Sequence, residues 1–278
     1  MRVSAFAPAL GVTGGRAAPV APPNHIEASG VSKRYGGATG LLALDDVSLT
    51  VREGEFISIL GPSGCGKSTF LRCVAGLEKP STGVIRVHGE AVRKAPRNMG
   101  MVFQRDVLLE WRSILDNMFL QVDFRREKRS RYLQRAHELL ALFGLSGFEN
   151  AYPAELSGGM RQRAAICRAL LADPDLLLMD EPFGALDALT RDQMNLELQK
   201  TWADSKKTIL FVTHSIGEAV FLSDRVVVMS PRPGRIAMTL TIELPRPRRM
   251  SIREMPEFAH YCSEIRTLFG KMGLLKDE

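Results

Sequence analysis

The chain has 278 residues, enough for one large domain or two small ones, and a hydrophobic content of 45% is ample for a buried core. No apolar run approaches the roughly 20 residues needed to cross a bilayer, so the sequence excludes a membrane-spanning protein and predicts a soluble or peripheral one. Lysine and arginine number 37 against 31 acidic residues. The resulting net charge of +6 suits a polyanionic ligand, an anionic membrane face, nucleic acid or simply an ordinary surface.

Composition also bears on the N-terminus and on the cellular compartment. Residues 1–24 are rich in alanine, proline and glycine and lack a sustained apolar core, so they predict a disordered tail and not a secretory signal. The four cysteines have no paired spacing that suggests zinc. We therefore predict reduced thiols in a reducing compartment.

The rest of the chain alternates between strand and helix patterns. Strands are predicted at Ile26–Ser32, Val47–Val51, Glu55–Leu60, Gly83–Gly89, Met99–Phe103, Asp175–Asp180, Thr208–Thr213, Arg225–Met229 and Arg235–Ile242, with a loop at Lys33–Gly37. Helices are predicted at Phe70–Gly76, about Ser113–Phe143, Ser157–Leu171, Asp192–Ala203 and Ile216–Leu222, with a short one ending near Leu268. This alternation predicts an α/β core with a parallel sheet, whose ligands bind at the carboxyl ends of the strands.

A glycine-rich loop between a strand and a helix matches the pattern G-x-x-x-x-G-K-[ST] in full. It consists of Gly61, Pro62, Ser63, Gly64, Cys65, Gly66, Lys67, Ser68 and Thr69. The glycines allow backbone N–H groups to surround a polyphosphate, and the following helix directs its positive end at the same anion. Lys67 is expected to reach the β- and γ-phosphates, Ser68 to hold Mg²⁺, and Thr69 to contact phosphate or pack nearby. The alternative is a loop that binds another anion or none.

Asp180 and Glu181 end an almost wholly apolar run, which is typical of a central strand in a parallel sheet. Because this strand end is predicted to lie beside the phosphate loop, we expect Asp180 to bind Mg²⁺, directly or through water. Glu181 is expected to polarise the attacking water. Without the phosphate loop, the pair would indicate a solvated strand end.

A second stretch suited to phosphate begins with Ser157, Gly158 and Gly159 at the start of a helix. The first loop already surrounds the phosphates within this chain, so the second is most useful when it faces the nucleotide of another copy. We therefore predict a symmetric homodimer that encloses two ATP molecules. The alternative is a simple glycine-containing helix start.

The segment between these motifs is helical and partly apolar at its surface. One predicted helix face carries Leu133, Ala136, Leu139, Leu140 and Phe143, and the opposite face carries Arg125, Arg126, Lys128, Arg129 and Arg131. We interpret the basic face as an ordinary solvated surface. Val107–Trp111 places apolar residues where polar ones are usual, which indicates a partner surface, with local packing as the alternative.

Together these motifs resemble the ATP-binding subunit of ABC transporters. The resemblance is carried by Gly61–Thr69 (Walker A), Leu176–Glu181 (Walker B), Leu156–Met160 (the signature, with Met160 where Gln is usual) and Ala185–Asp187 (the D-loop). It implies a P-loop NTPase (RecA-like) core with a parallel sheet, an antiparallel β subdomain and a small helical subdomain at about 105–160. The implied ATPase domain spans 25–244, followed by a C-terminal tail with a short helix at 245–278.

The same resemblance assigns roles to three further residues. Gln104 resembles the Q-loop glutamine that senses Mg²⁺ and the attacking water, His214 the switch histidine that contacts the γ-phosphate, and Tyr35 the aromatic that stacks on adenine. Read without the family, they are a loop glutamine, a structural histidine and an aromatic that stacks or packs. In the family, the region near Leu108–Trp111 receives a coupling helix from the membrane permease.

Leu108–Trp111, Leu115–Asn117 and Arg232–Ile236 resemble the nitrate/sulfonate/taurine branch of importers, although Glu110 stands where that branch often has Pro. The resemblance implies an ATPase that uses ATP and Mg²⁺ at the cytoplasmic face of the inner membrane to power import of a small anion. Its implied partners are a second copy, a permease and a solute-binding protein, with no nucleic acid.

Two other functions remain open at this point. One is a non-transport ATPase of the same superfamily that acts on nucleic acid or ribosomes. Such proteins usually carry two cassettes or a long coiled-coil insertion, for which Gln104 to Leu156 leaves no room. The other is a nucleotide-dependent kinase or switch, which would leave Ser157–Gly159 unexplained.

Overall fold

The structure is a computed structural model that describes residues 23–37 and 39–275. The predicted disordered tail, residues 1–24, lies outside the described residues except for its last two positions. The strands are β1 (Asn24–Tyr35), β2 (Leu41–Arg52), β3 (Phe56–Leu60), β4 (Thr82–Val87), β5 (Glu90–Ala91), β6 (Met99–Val102), β7 (Leu176–Asp180), β8 (Thr208–Thr213), β9 (Arg225–Met229) and β10 (Ile236–Thr241). The helices are α1 (Lys67–Val74), α2 (Ile114–Met118), α3 (Leu120–Phe124), α4 (Leu133–Leu142), α5 (Gly158–Leu171), α6 (Ala188–Ser205), α7 (Ile216–Leu222) and α8 (Pro256–Lys271).

The described strands form two sheets. The larger has the order β10-β9-β3-β8-β7-β6, and its strands are parallel except for β10. The smaller is antiparallel, with the order β2-β1-β4-β5. The predicted α/β core with a parallel sheet is therefore confirmed, and an antiparallel sheet accompanies it.

The central strands are buried on both faces, which explains their continuous apolar sequences. Successive side chains of a strand point to opposite faces, so β3 contributes to two separate apolar cores. Phe56 and Leu60 pack with the helices α4 to α8, whereas Ile57 and Ile59 pack with α1 and the antiparallel sheet. This packing fixes the carboxyl ends of β3, β6, β7 and β8 along one edge.

The helical segment differs from its prediction. The helical stretch expected at about Ser113–Phe143 is divided into α2, α3, a 3₁₀ turn at Arg129–Arg131 and α4. Ala136, Leu139 and Leu140 are buried as predicted, but Leu133, the first residue of α4, is 44% exposed. On the basic face, Arg129 forms ion pairs with Asp116 and Asp123.

Two other predictions need correction. The expected loop at Lys33–Gly37 begins later, because β1 continues to Tyr35 in register with Leu41 of β2. The expected short C-terminal helix is the 16-residue α8, which follows a 3₁₀ turn at Met250–Glu254 and packs against α7 through Phe258, Cys262 and Ile265. Arg248, just before that turn, is almost fully buried.

Candidate nucleotide site

The glycine-rich loop forms the turn between β3 and α1. Gly64 and Gly66 have φ angles of 73° and 108°, a region that L side chains rarely adopt. A Cβ atom on Gly66 would lie 2.8 Å from the carbonyl oxygen of Ala43, so space as well as conformation requires glycine there. Gly66 is the N-cap of α1, and the free N–H groups of that helix therefore face the hollow of the loop.

Lys67 and Ser68 begin α1 and direct their polar atoms into the loop. The Lys67 Nζ donates to the carbonyl oxygens of Gly61 at 2.8 Å and Pro62 at 3.0 Å, which holds the ammonium group inside the loop. The Ser68 hydroxyl donates to Asp180 Oδ1 at 2.8 Å. Asp180 ends β7, so the sheet order brings the loop and the acidic strand end together.

Burial raises the pKa of the Asp180 carboxyl, and the hydrogen bond from Ser68 opposes that shift. A cation beside the carboxylate would offset the effect of burial. A hydroxyl and a carboxylate are oxygen ligands of the kind that Mg²⁺ prefers. Ser68 and Asp180 therefore fit a magnesium ion.

Glu181 follows β7 and lies between two polar side chains. Its Oε2 accepts from Gln104 Nε2 at 3.4 Å and lies 3.3 Å from His214 Nδ1. Glu181 has a φ of 46°, a left-handed conformation that is uncommon for a residue with a side chain and often marks a functional site. Gln104 follows β6 and His214 follows β8, so three adjacent strand ends supply this group.

A buried network lies behind His214. The Thr213 hydroxyl donates to Glu218 Oε2 at 2.6 Å and accepts from the Ser215 backbone N–H at 3.0 Å. Burial raises the pKa of Glu218, whose carboxylate also lies 3.6 Å from Arg191. These contacts fix the turn that carries His214.

One open cleft contains most of the predicted site. Its predicted lining residues are Tyr35, Ser63, Gly64, Gly66, Lys67, Ser68, Thr69, Gln104 and Glu181. Gly61 and Pro62 take part through the carbonyls that hold Lys67. Cys65 buries its thiol beneath the loop, and burial raises the pKa of that thiol. Tyr35, the last residue of β1, has Lys33 Nζ 4.9 Å from its ring centroid.

The signature residues lie elsewhere. Ser157 caps α5, and its hydroxyl accepts from the Met160 backbone N–H at 3.3 Å. Ser157 and Gly158 are exposed, and neither they nor Gly159 are among the described residues that line the cleft. An exposed capped helix start of this kind can reach a nucleotide held by another molecule.

The sequence did not identify Arg232, Leu41 and Ala43 as lining the cleft. Arg232 lies between β9 and β10, and its Nε and Nη2 donate to the Gly64 carbonyl oxygen at 3.1 and 3.0 Å. Its sequence signal was the run Arg232–Ile236, which indicated a family branch but no contact. Leu41 and Ala43 carry no local signal, because only the packing of β2 places them there.

Comparison with known proteins agrees with this geometry. The family model described as ABC transporter matches residues 44–184. A taurine import ATP-binding protein of Rhizobium johnstonii is 48% identical over 240 residues, 84% of this chain and 91% of the relative. An aliphatic sulfonates import ATP-binding protein of Bacillus cereus is 40% identical over 253 residues, 90% of this chain and 98% of the relative.

A solved structure described as the dimeric, post-hydrolysis state of an ATP-binding cassette bound to ADP and Pi superposes with a TM-score of 0.72 and 32% identity. It covers 79% of this chain and 100% of that one. Fold and cleft define a P-loop ATPase. The chain belongs to the ABC transporter family, and it binds and hydrolyses ATP.

Across residues 23–37 and 39–275, no helix combines the length and the apolar content that a membrane crossing needs.

Proposed function

We propose that this chain is the ATP-hydrolysing subunit of an importer for a small anion, either taurine or another aliphatic sulfonate, with nitrate as a further candidate. The names of two relatives support the solute class, since both cover most of this chain at 40% identity or more. The contacts of Glu181 carry the catalytic part of the proposal. Its carboxylate is held between Gln104 and His214 beside the phosphate loop.

In this proposal the phosphate loop binds the ATP phosphates. The backbone N–H groups of Ser63 to Thr69 surround them, and the Lys67 ammonium exchanges its carbonyl partners for the β- and γ-phosphate oxygens. Ser68 and Asp180 would hold Mg²⁺, with Gln104 nearby, and the ion would neutralise developing charge on the phosphates. Tyr35, which lines the cleft, would stack on adenine.

Glu181 orients the water that attacks the γ-phosphate. Its carboxylate oxygen already lies within reach of an amide and an imidazole, so a water bound there would meet both a proton acceptor and fixed donors. His214 would contact the γ-phosphate from the neighbouring strand end. Loss of that phosphate would therefore release contacts to Lys67, Gln104 and His214 together.

The cleft is open in a single chain, and the signature residues are exposed outside it. A homodimer would place Ser157 and Gly159 of each copy over the nucleotide of the other, completing both sites. The similar solved structure is described as dimeric, which supports this arrangement. ATP would then close the dimer, and hydrolysis would let it open.

A permease would dock near Leu108–Trp111. Trp111 is 74% exposed and Val107 is 49% exposed, whereas Leu108 is buried and supports this surface from below. Local packing, the alternative considered for this run, holds for Leu108, which belongs to the main core. Such exposed apolar groups are typical of a surface that binds a partner protein. In the complete transporter, the chain would lie at the cytoplasmic face of the inner membrane with a permease and a solute-binding protein.

The substitution Glu181→Gln tests the catalytic proposal. It keeps the shape of the side chain and removes its negative charge, so we expect ATP binding to persist while turnover falls at least about 100-fold. With Mg-ATP, light scattering should show the variant as a dimer. Glu264→Gln, on α8, is the matched control. Near-normal turnover by the variant, or a strictly monomeric state with Mg-ATP at high concentration, would contradict the proposal.

The solute is tested separately with the complete transporter. Proteoliposomes containing this chain and its permease should take up labelled taurine or an alkanesulfonate when ATP and the solute-binding protein are supplied. Nitrate uptake alone would select the other candidate. Uptake of none of the three would remove the solute assignment and leave the ATPase assignment intact.

A further inference from the structure

A second group of chemically active side chains lies at the edge of the core sheet opposite the nucleotide cleft. His25 is near the start of β1, His88 follows β4, and Asp175 precedes β7. Asp180 ends the same β7 strand, so roughly 16 Å of extended chain separates this group from the nucleotide site. The established activity uses none of these three residues.

The three side chains converge on one point. His88 Nε2 lies 3.1 Å from Asp175 Oδ2, and the two imidazole ring centroids are 3.9 Å apart. One ligand atom from each residue lies within 4.8 Å of the other two. Backbone hydrogen bonds hold the arrangement, from His88 N–H to the His25 carbonyl at 2.9 Å and from Thr208 N–H to the Asp175 carbonyl at 2.9 Å.

His25 is the buried member of the group and is 1% exposed. Its Nδ1 lies 2.6 Å from the Thr208 hydroxyl, which also accepts from the Gly54 backbone N–H at 3.0 Å. Its Nε2 is buried and has no hydrogen-bond partner within the described part of the chain. Buried polar atoms are nearly always paired, so this nitrogen points to a ligand.

We propose that His25, His88 and Asp175 bind a divalent transition-metal ion, with Zn²⁺ as the best fit and water as the fourth ligand. Two imidazole nitrogens and one carboxylate oxygen are typical of zinc, whereas Mg²⁺ and Ca²⁺ prefer oxygen ligands. Metal bonds of about 2.0–2.1 Å place tetrahedral ligand atoms about 3.3 Å apart, close to the 3.1 Å between His88 Nε2 and Asp175 Oδ2. The three ligand atoms lie within 4.8 Å of one another, and an ion would draw them to that tetrahedral spacing.

Thr208 completes the site as a partner of His25. When Nδ1–H donates to the Thr208 hydroxyl, the Nε2 lone pair is free for the metal, which is the usual arrangement behind a metal-bound histidine. The ion would join β1 and the β4–β5 turn of the antiparallel sheet to the start of β7 in the core sheet. Its binding therefore stabilises the junction of the two sheets.

Cobalt titration of the untagged, chelator-treated full chain tests the proposal. Tetrahedral Co²⁺ absorbs visibly, so we expect one such ion per chain, displaced by Zn²⁺, and a thermal midpoint that rises with Zn²⁺. His88→Ala and Asp175→Asn alter accessible side chains and should weaken Zn²⁺ binding at least about 100-fold. Loss of a residue that only hydrogen-bonds to a metal ligand already lowers metal affinity by about 10–100-fold. The ATPase activity of both variants should be unchanged, which also shows that they fold.

His137→Ala is the matched control, because that exposed ring lies 3.9 Å from a single carboxylate, Glu149. It should bind Zn²⁺ as the unmodified chain does. Asp180→Asn separates the two sites, because the cobalt spectrum should persist when the nucleotide site has lost a ligand. No tetrahedral cobalt spectrum at millimolar Co²⁺, or equal Zn²⁺ affinity in the His88→Ala chain, would overturn the proposal.

Discussion

The contacts of Arg248 allow a prediction of how much this side chain contributes to the free energy of unfolding. Its guanidinium is buried, and all the hydrogen bonds that it donates within the described residues go to backbone carbonyls. The acceptors are Val220, Phe221, Ser223, Ile242 and Leu244, at 2.8 to 3.3 Å. The Gln199 side chain also binds the Arg248 backbone. Its Oε1 accepts from the Arg248 N–H at 2.7 Å, and its Nε2 donates to the Arg248 carbonyl oxygen at 2.7 Å. Arg248 therefore joins the C-terminal segment to α7, the helix that follows His214.

We expect Arg248→Met to lower the free energy of unfolding by about 3 kcal/mol. Methionine leaves five backbone carbonyls without their charged donor, at about 1–3 kcal/mol for each buried acceptor that stays unsatisfied, while its apolar atoms fill the space and the cost of burying the guanidinium disappears. Urea unfolding followed by circular dichroism measures the change. Arg249→Met is the control, because Arg249 is exposed and should lose no more than about 0.5 kcal/mol. A loss below about 1 kcal/mol for Arg248→Met would refute the reasoning.

Two further variants test the edges of the cleft and of the docking surface. Arg232→Ala removes both hydrogen bonds to the Gly64 carbonyl and a positive charge beside the phosphate loop. The Kd for ATP should therefore rise about tenfold, which equals about 1.4 kcal/mol of binding free energy. An unchanged Kd by calorimetry would contradict this. Trp111→Ala should leave stability within about 0.5 kcal/mol and basal ATPase activity unchanged, yet abolish co-purification with the permease. Retained co-purification would exclude Trp111 from the contact.

The placement of the candidate site residues could be predicted from the sequence because each of them belongs to a local pattern. The loop Gly61–Thr69 requires glycine for its backbone conformation, and Asp180 ends an apolar run that is typical of a central strand. Strand ends supply Gln104, Glu181 and His214, and parallel strands bring their carboxyl ends to one edge. Their convergence therefore follows once the alternation of strands and helices is recognised.

Other features depend on contacts between distant segments and had no local signal. The helical periodicity of Ser113–Phe143 is real, but packing divides it and exposes Leu133. Leu108 and Trp111 look alike in an apolar run, and only the fold buries one and exposes the other. Arg232 reaches Gly64 across 168 positions, a pairing that no spacing rule predicts.

The sequence alone determined that the chain binds a nucleotide through its phosphates, because the backbone conformation that surrounds a triphosphate needs particular residues at consecutive positions. The tertiary structure decided which distant groups meet: Arg232 with the phosphate loop, Arg248 with α7, and His25 with His88 and Asp175. These contacts arise from strand order and from the packing of two sheets. Each contact depends on two distant segments at once, so neither segment by itself carries a sequence pattern that predicts it.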